Sequence, residues 1–207
     1  NVGDRDLTVN AGMTAGYNTG RTTQDVVSVF SDRVTSRTDG DFDSRYVGGY
    51  VTIAKDRFFA DLQARFDRTD FTFDNNNPLL GLNDAHVKSD RVSVNGGIGY
   101  AAEIGERLAF VPSVGFSYAR TRTTGVTFDN GSTLDPQAYE TILGFGGATL
   151  VKTFILPDQI SAVSPFVTGT VYHDFGDDPS SIFVLGDVSR EIANQNLGTF
   201  GELSVGA

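Results

Sequence analysis

Three small residues could form a nucleotide-binding loop. Gly97, Gly99 and Ala102 have the spacing G-x-G-x-x-A, which seats a dinucleotide pyrophosphate when it closes a strand and opens a helix. The helix is essential, because its N-terminal N–H groups hold the phosphates. Residues 103–107 instead predict a turn, and a new apolar segment begins at Leu108 with no helical period. We therefore predict no dinucleotide site and assign these glycines to strands.

An acidic segment has part of the spacing of a calcium-binding loop. Asp39, Asp41 and Asp43 match the first ligands of an EF-hand, which also needs a glycine at its sixth position and an acid at its twelfth. Ser44 and Tyr50 stand at those two positions. The sequence therefore predicts a solvated acidic segment without a dedicated metal site.

Residues for nucleophilic catalysis are sparse. The chain has no cysteine, and no serine lies in a G-x-S-x-G motif. Of the two histidines, His86 falls in a predicted loop, and His173 lies beside Asp174 at a predicted strand end, where we interpret it as an interfacial or ladder residue. We therefore predict a protein that is not an enzyme and that holds no cofactor.

Charge and length exclude other classes of function. The chain has 207 residues and a formal net charge of -10, so nucleic acid is not an expected partner. No apolar stretch approaches the roughly 18 to 20 residues of a membrane-spanning helix. A membrane-spanning strand needs only about 9 to 11 residues, and only alternate positions need be apolar. A membrane protein built from strands therefore remains compatible with this composition.

The regular segments alternate with a period of two, which predicts strands. Val92, Val94 and Ile98 alternate with polar or small residues, and after the turn at 103–107 a second alternating segment completes a hairpin. We predict about eight antiparallel strands, with long loops near 18–41, 72–87, 122–137 and 176–193. The predicted strands lie near 6–17, 43–54, 58–69, 91–103, 108–121, 138–154, 162–175 and 195–207.

Long strands whose connections alternate between long and short are typical of an outer-membrane β-barrel. A soluble β-sandwich or lipocalin-like barrel also alternates, but a small soluble barrel must fill its interior with apolar side chains. Here one face is apolar and the other carries charges, which favours lipid outside and a polar lumen inside. The lumen-facing candidates are Asp61, Gln63, Arg65, Asp67, Arg91, Asn95, Glu103 and Glu202. The lipid-facing candidates are Phe58, Leu62, Phe66, Val94, Ile98, Val114, Phe116 and Phe145.

The order of these features resembles the translocator domain of autotransporters. The resemblance is carried by "FFAD" at 58–61, by "PFV" and "YHDF" within 164–175, and by glycine-and-aromatic strands elsewhere. It covers most of the chain, in the stretches 7–20, 45–66, 92–122, 164–175 and 198–207. The resemblance implies an outer-membrane barrel that helps to export an N-terminal passenger and anchors it at the cell surface.

The family pattern also includes features that this sequence lacks. Its barrel has twelve strands around a plugging helix and ends in an aromatic residue, whereas this sequence ends at Ala207. We therefore expect residues 1–207 to be a single barrel domain that is incomplete at both ends. A closed eight-strand barrel, either adhesive or a passive pore, is the alternative. The expected partners are outer-membrane lipid or lipopolysaccharide, the passenger, and the barrel-assembly machinery.

Overall fold

A long antiparallel sheet forms most of the protein. The computed structural model describes residues 7–27, 34–76, 84–156 and 161–207. The main sheet contains β1 (Thr8–Val27), β2 (Val34–Lys55), β3 (Phe58–Asn75), β4 (Ala85–Tyr100), β5 (Ala102–Gly105) and β6 (Leu108–Thr123). It continues through β9 (Tyr139–Lys152), β12 (Phe166–Asp174) and β15 (Thr199–Gly206). The strand order is β1-β2-β3-β4-β6-β9-β12-β15, with β5 also paired to β6, so neighbours in sequence are neighbours in space.

Residues between the long strands form two further sheets. One contains β7 (Val126–Thr127), β8 (Thr133–Pro136), β13 (Ser180–Leu185) and β14 (Val188–Ala193), in the order β14-β13-β8-β7. The other pairs β10 (Phe154–Ile155) with β11 (Ala162–Val163). We call the four-stranded one the second sheet; the sequence predicts loops at 122–137 and 176–193, and that prediction misses its strands.

The prediction of a loop at 18–41 is wrong over most of its length. β1 continues to Val27 and β2 begins at Val34, and the two strands stay paired in register almost to their ends. Outside a membrane, both faces of a strand can be polar, so the apolar alternation that marks a strand in the sequence disappears. Part of the predicted loop at 72–87 is likewise strand, because β3 extends to Asn75 and β4 begins at Ala85.

The sheet has little of the dry core that a soluble domain requires. Among the described residues, the buried apolar side chains are Ala85 and Ala119. Large apolar side chains instead remain exposed, including Met13 at 85% and Val205 at 76%. The sheet is curled into a half-barrel, and β1 and β15 lie at its two opposite edges rather than against each other. The described part of the chain contains no helix that is long and apolar enough to cross a membrane.

Candidate functional site

The strand register separates the candidate residues into two faces. Directly opposed residues of neighbouring strands project to the same side of a sheet, as do alternate residues of one strand. Leu62 opposes Gly96, which opposes Phe116, and this row defines what we call the outward face. It carries seven of the eight lipid-facing candidates, namely Phe58, Leu62, Phe66, Val94, Ile98, Val114 and Phe116.

Apolar positions on the outward face form a belt of constant height. The belt comprises outward residues of Val9–Tyr17, Phe58–Phe66, Val92–Tyr100, Phe110–Tyr118 and Ile142–Leu150, each a segment of nine residues. Nine residues extend about 27 Å along a strand, which gives about 20 Å across a membrane at the usual tilt. That height is close to the apolar band of an outer-membrane barrel, which is about 25 Å tall.

Aromatic side chains mark both borders of this belt. At the border near the short turns, the rings of Phe58 and Tyr100 pack with their centroids 4.7 Å apart. Tyr17 and Tyr118 lie on the outward face near the other border, on the side of the long connections. Aromatic girdles of this kind sit at the two membrane–water interfaces of transmembrane barrels.

Phe145 lies on the other face, which corrects its assignment among the lipid-facing candidates. It opposes Gly115 on β6 and Tyr172 on β12, and Gly115 opposes Gly97 and then Asp61. Phe145 therefore shares the face of the polar candidates. Both faces of β9 carry apolar residues and glycine, so alternation within this strand cannot indicate which face is outward. Only the register with β6 decides it.

The polar candidates line the opposite face, which we call the inward face. Asp61, Gln63, Arg65 and Asp67 of β3 oppose Gly97, Asn95, Ser93 and Arg91 of β4. The Arg65 guanidinium donates to Asp67 through Nε at 2.8 Å, and it lies 3.8 Å from the ring centroid of Tyr46. Next to them, the Ser117 hydroxyl donates to Asn95 at 2.6 Å. The inward face therefore carries bonded polar side chains on β3, β4 and β6.

The remaining polar candidates lie nearer the short turns. Glu202 is on the inward face of β15, opposite Thr170, and it accepts a hydrogen bond from Ser204 at 2.9 Å. Glu103 opposes Ala109 on the inward side, but its side chain is 74% exposed and pairs with Arg57 in the turn between β2 and β3 at 3.4 Å. Glu103 therefore lies at the rim of the inward face.

Glycines on the inward face leave room for aromatic rings. A Cβ placed on Gly99 would lie 2.1 Å from Phe59, and one on Gly115 would lie 2.4 Å from both Phe145 and the carbonyl of Gly96. Gly12 and Gly16 hold Tyr50 and Tyr46 in the same way. This arrangement explains the glycines that mimic a nucleotide fingerprint, because Gly97 and Gly99 lie within β4 and no helix follows them.

Aromatic rings also form a row across the last strands of the sheet. Phe145 and Tyr172 have ring centroids 5.7 Å apart, and Tyr172 stacks on Phe200 at 4.9 Å. The inward face thus has a charged and amide-rich wall on β3 and β4, beside the tyrosine rings of β2, and an aromatic wall on β9 to β15. The sequence pattern alone does not reveal the aromatic wall, because the wall requires residues from three strands in one register.

Beyond the belt, on the side of the long connections, β1 and β2 continue as a paired ribbon. Its outward face carries hydrogen-bonded pairs that link Arg21 to Asp41 at 2.7 Å and Arg37 to Asp25 at 2.7 Å. The Arg37 hydrogen bond lowers the pKa of the Asp25 carboxyl from its ordinary value. The three acids that mimic a calcium loop take part in this pattern, since Asp39 accepts from Thr23, Asp41 from Arg21 and Asp43 from Tyr17.

The second sheet meets the inward face at a polar cavity of about 470 Å³. Asp174 is buried beside it, with 6% of the residue exposed, and accepts backbone hydrogen bonds from Gly176 at 2.9 Å and from Ile142 and Leu197 at 3.4 Å. Asp174 therefore joins the ends of β9 and β12 to the segment that leads into β15. Its neighbour His173 contacts Thr199 and the ring of Phe175 instead.

The remaining residues with catalytic potential are engaged separately. His86 contacts the Thr72 hydroxyl at 3.1 Å and lies 3.5 Å from Asp84. Across the described ranges, no three acidic or histidine side chains gather into a metal-binding cluster.

An apolar belt outside and a polar inward face define the class of an outer-membrane β-barrel protein. A family model described as the autotransporter beta-domain matches residues 3–207, and the chain belongs to that family. It is thus an outer-membrane translocator domain that serves the export of a passenger. The family is a translocator family and not an enzymatic one.

The fold is also similar to that of a solved structure. The crystal structure of the beta domain of the Bordetella autotransporter BrkA superimposes with a TM-score of 0.54 and 15% sequence identity. The alignment covers 96% of this chain and 94% of that chain. At this identity the likeness shows the fold alone. No curated protein matches this chain in sequence.

Proposed function

We propose that the inward face lines the path along which the passenger crosses the membrane. The observation that carries this proposal is the contrast between the two faces of β3, where Gln63 opposes Asn95 inward and Leu62 opposes Gly96 outward. A polypeptide in transit needs partners for its backbone N–H and C=O groups, and the amide and hydroxyl groups of the inward face supply them without a deep binding pocket. The lipid-facing belt then anchors the protein after export.

The two walls of the inward face favour a passing chain over a fixed ligand. Arg65 and Asp67 neutralise each other, so the polar wall presents no strong net charge to the segment that passes it. The aromatic wall of Phe145, Tyr172 and Phe200 offers apolar contact to the opposite side of that segment. A surface of mixed character can accept many sequences, which suits a passenger whose residues pass in succession.

Cysteine crosslinking tests this path, because the chain has no cysteine of its own. We expect Gln63→Cys to form a disulfide with a cysteine placed in a passenger that is stalled during export. Leu62→Cys is the matched control on the adjacent outward position and should give none. Equal crosslinking from both positions, or crosslinking from position 62 alone, would contradict the assigned path.

We infer that the edges of this sheet need partner strands before it can remain in a bilayer. An unpaired backbone group in hydrocarbon costs several kcal/mol, and β1 and β15 each have an edge without a partner among the described residues. This supports the barrel-assembly machinery as a partner during insertion. It also supports one barrel domain that further strands complete, and twelve strands remain the prediction for that barrel.

We further infer that the protein is not itself an enzyme. The strongest candidate pair, His173 and Asp174, does not form a catalytic arrangement, because His173 lies on the outward face of β12 and Asp174 is bonded to backbone amides. Hydrolysis of a standard ester substrate by the purified protein, abolished by His173→Ala, would overturn this inference.

A further inference from the structure

Basic side chains form a row on the outward face directly beyond the apolar belt. Arg45 on β2 opposes Arg68 on β3, Arg68 opposes Asp90 on β4, and Asp90 opposes Arg122 on β6. Along β3, Arg68 comes two residues after Phe66, the last apolar residue of the belt. The row therefore lies at the height where lipid headgroups meet the protein. We call Arg45, Arg68 and Arg122 the arginine row.

The internal partners of this row leave positive charge uncompensated. Arg68 makes a two-pronged pair with Asp90 at 2.8 and 3.0 Å, which fully engages that carboxylate. Arg45 reaches Asp70 by a single contact at 3.4 Å and keeps 67% of its side chain exposed. Within the described ranges, no carboxylate lies within ion-pair distance of Arg122. Among the described residues, Arg122 thus has no acid of its own, and Asp43, which also lies beside Arg45 on this face, is engaged by the Tyr17 hydroxyl.

The direct opposition of Arg45 and Arg68 is itself unfavourable. Like charges at opposed positions of an antiparallel pair destabilise it, and the two Cβ atoms in such a pair are about 5 Å apart. An anion placed between the two guanidinium groups would turn this repulsion into attraction. Arginine suits phosphate in particular, because its planar fork donates two parallel hydrogen bonds.

The position of the row identifies the source of the phosphate. In outer-membrane barrels the short turns face the periplasm and the long connections face outside. The arginine row lies on the side of the long connections, and therefore in the outer leaflet, where lipopolysaccharide carries its phosphorylated headgroup. We propose that the arginine row binds the phosphates of lipopolysaccharide. This inference rests on the outward face meeting lipid and does not depend on the passenger path.

The test measures binding of diphosphorylated lipid A to the intact purified protein in detergent, by native mass spectrometry. The variant Arg45→Gln/Arg68→Gln/Arg122→Gln removes the row. The charge-matched control Arg21→Gln/Arg37→Gln/Arg57→Gln removes three arginines that lie beyond the row or at the short turns. Each arginine near an anionic lipid surface contributes about fivefold, so the row variant should bind about 100-fold more weakly and the control should bind unchanged.

Further measurements test whether the phosphate headgroup is what the arginine row binds. Replacement of the three row arginines by lysine should weaken binding less than replacement by glutamine, since the positive charge remains and only the two-pronged hydrogen bonds are lost. Dephosphorylated lipid A should bind the unaltered protein about as weakly as diphosphorylated lipid A binds the glutamine variant, and this arm holds even if that variant fails to fold. Equal binding of dephosphorylated lipid A, equal loss in the charge-matched control, or full competition by inorganic phosphate would each overturn the proposal.

Discussion

The substitution Leu62→Arg examines whether the outward face meets lipid. Leu62 is the midpoint of the segment Phe58–Phe66, and it is 46% exposed on the outward face. In a bilayer it therefore lies near the centre of the hydrocarbon. An arginine there must lose its hydration or draw water and headgroups into the membrane.

The expected cost depends on depth. At the midplane of an outer-membrane barrel an arginine costs about 2 to 4 kcal/mol, and near the interfaces only about 0 to 1 kcal/mol. Leu62→Arg should therefore lower the ratio of folded to unfolded protein by roughly 30- to 1,000-fold. Ala64→Arg, one outward position nearer the boundary, should cost less. The natural Arg68 lies beyond that boundary, where the cost is small.

Urea unfolding of the intact protein in phospholipid vesicles gives the measurement. The chain has no tryptophan, so the folded fraction is best followed by the heat-modifiable shift in gel mobility. Gln63→Arg is the matched control, because it makes the same side chain on the adjacent inward position. We expect it to change the free energy of unfolding by less than about 1 kcal/mol, since a hydrated surface accepts the charge.

Two results would refute the assignment of the faces. If Gln63→Arg costs as much as Leu62→Arg, both faces have the same environment and the inward face is not hydrated. If Leu62→Arg and Ala64→Arg cost nothing, the outward face does not meet hydrocarbon. A soluble sheet in which the apolar face is merely exposed would give this second outcome.

Other parts of the sheet give three further predictions. Gly115→Val should destabilise the protein by about 1 to 3 kcal/mol in the same urea assay, because its Cβ would lie 2.4 Å from a backbone carbonyl. Gly169→Ala is the control and should be tolerated, because a Cβ at that position has no neighbour within 4 Å. Asp174→Ala should speed proteolysis of the second sheet while the mobility shift persists, since three backbone amides lose their acceptor; unchanged proteolysis would contradict this role. Arg37 lowers the pKa of Asp25, so the pair should protect the end of the β1–β2 ribbon from hydrogen exchange at pH 5. This protection should be lost only as the pH falls below about 3.9, the ordinary pKa of aspartate. The variant Arg37→Gln should lack this pH dependence.

Alternation along a strand is a local property, and the sequence determines it directly. Successive side chains of an extended chain point to opposite sides, so Leu62 and Gln63 can be assigned to different faces without coordinates. Seven of the eight lipid-facing candidates share one side of the sheet. Short and long connections are also readable, because turn residues such as Asp56 interrupt the alternating segments.

Register between strands is not local, and only the tertiary structure decides it. Phe145 belongs to the inward face because β9 pairs with β6 so that Phe145 opposes Gly115. The sequence of β9 has apolar residues and glycine on both sides, so a shift of one residue would leave its pattern almost unchanged. The arginine row likewise depends on the register, since its members come from three strands that are far apart in sequence.

The second sheet and the extended ribbon form through contacts between segments whose sequences show no apolar alternation. β8 and β13 pair across more than 40 residues of chain, and both segments lie within regions that the sequence predicts as loops. β1 and β2 continue beyond the belt because cross-strand pairs such as Arg21 with Asp41 replace apolar packing there. The sequence by itself determined the alternation along the belt strands, because alternation follows from neighbouring residues. Their pairing beyond the belt depends on hydrogen bonds between distant segments, which only the folded chain brings together.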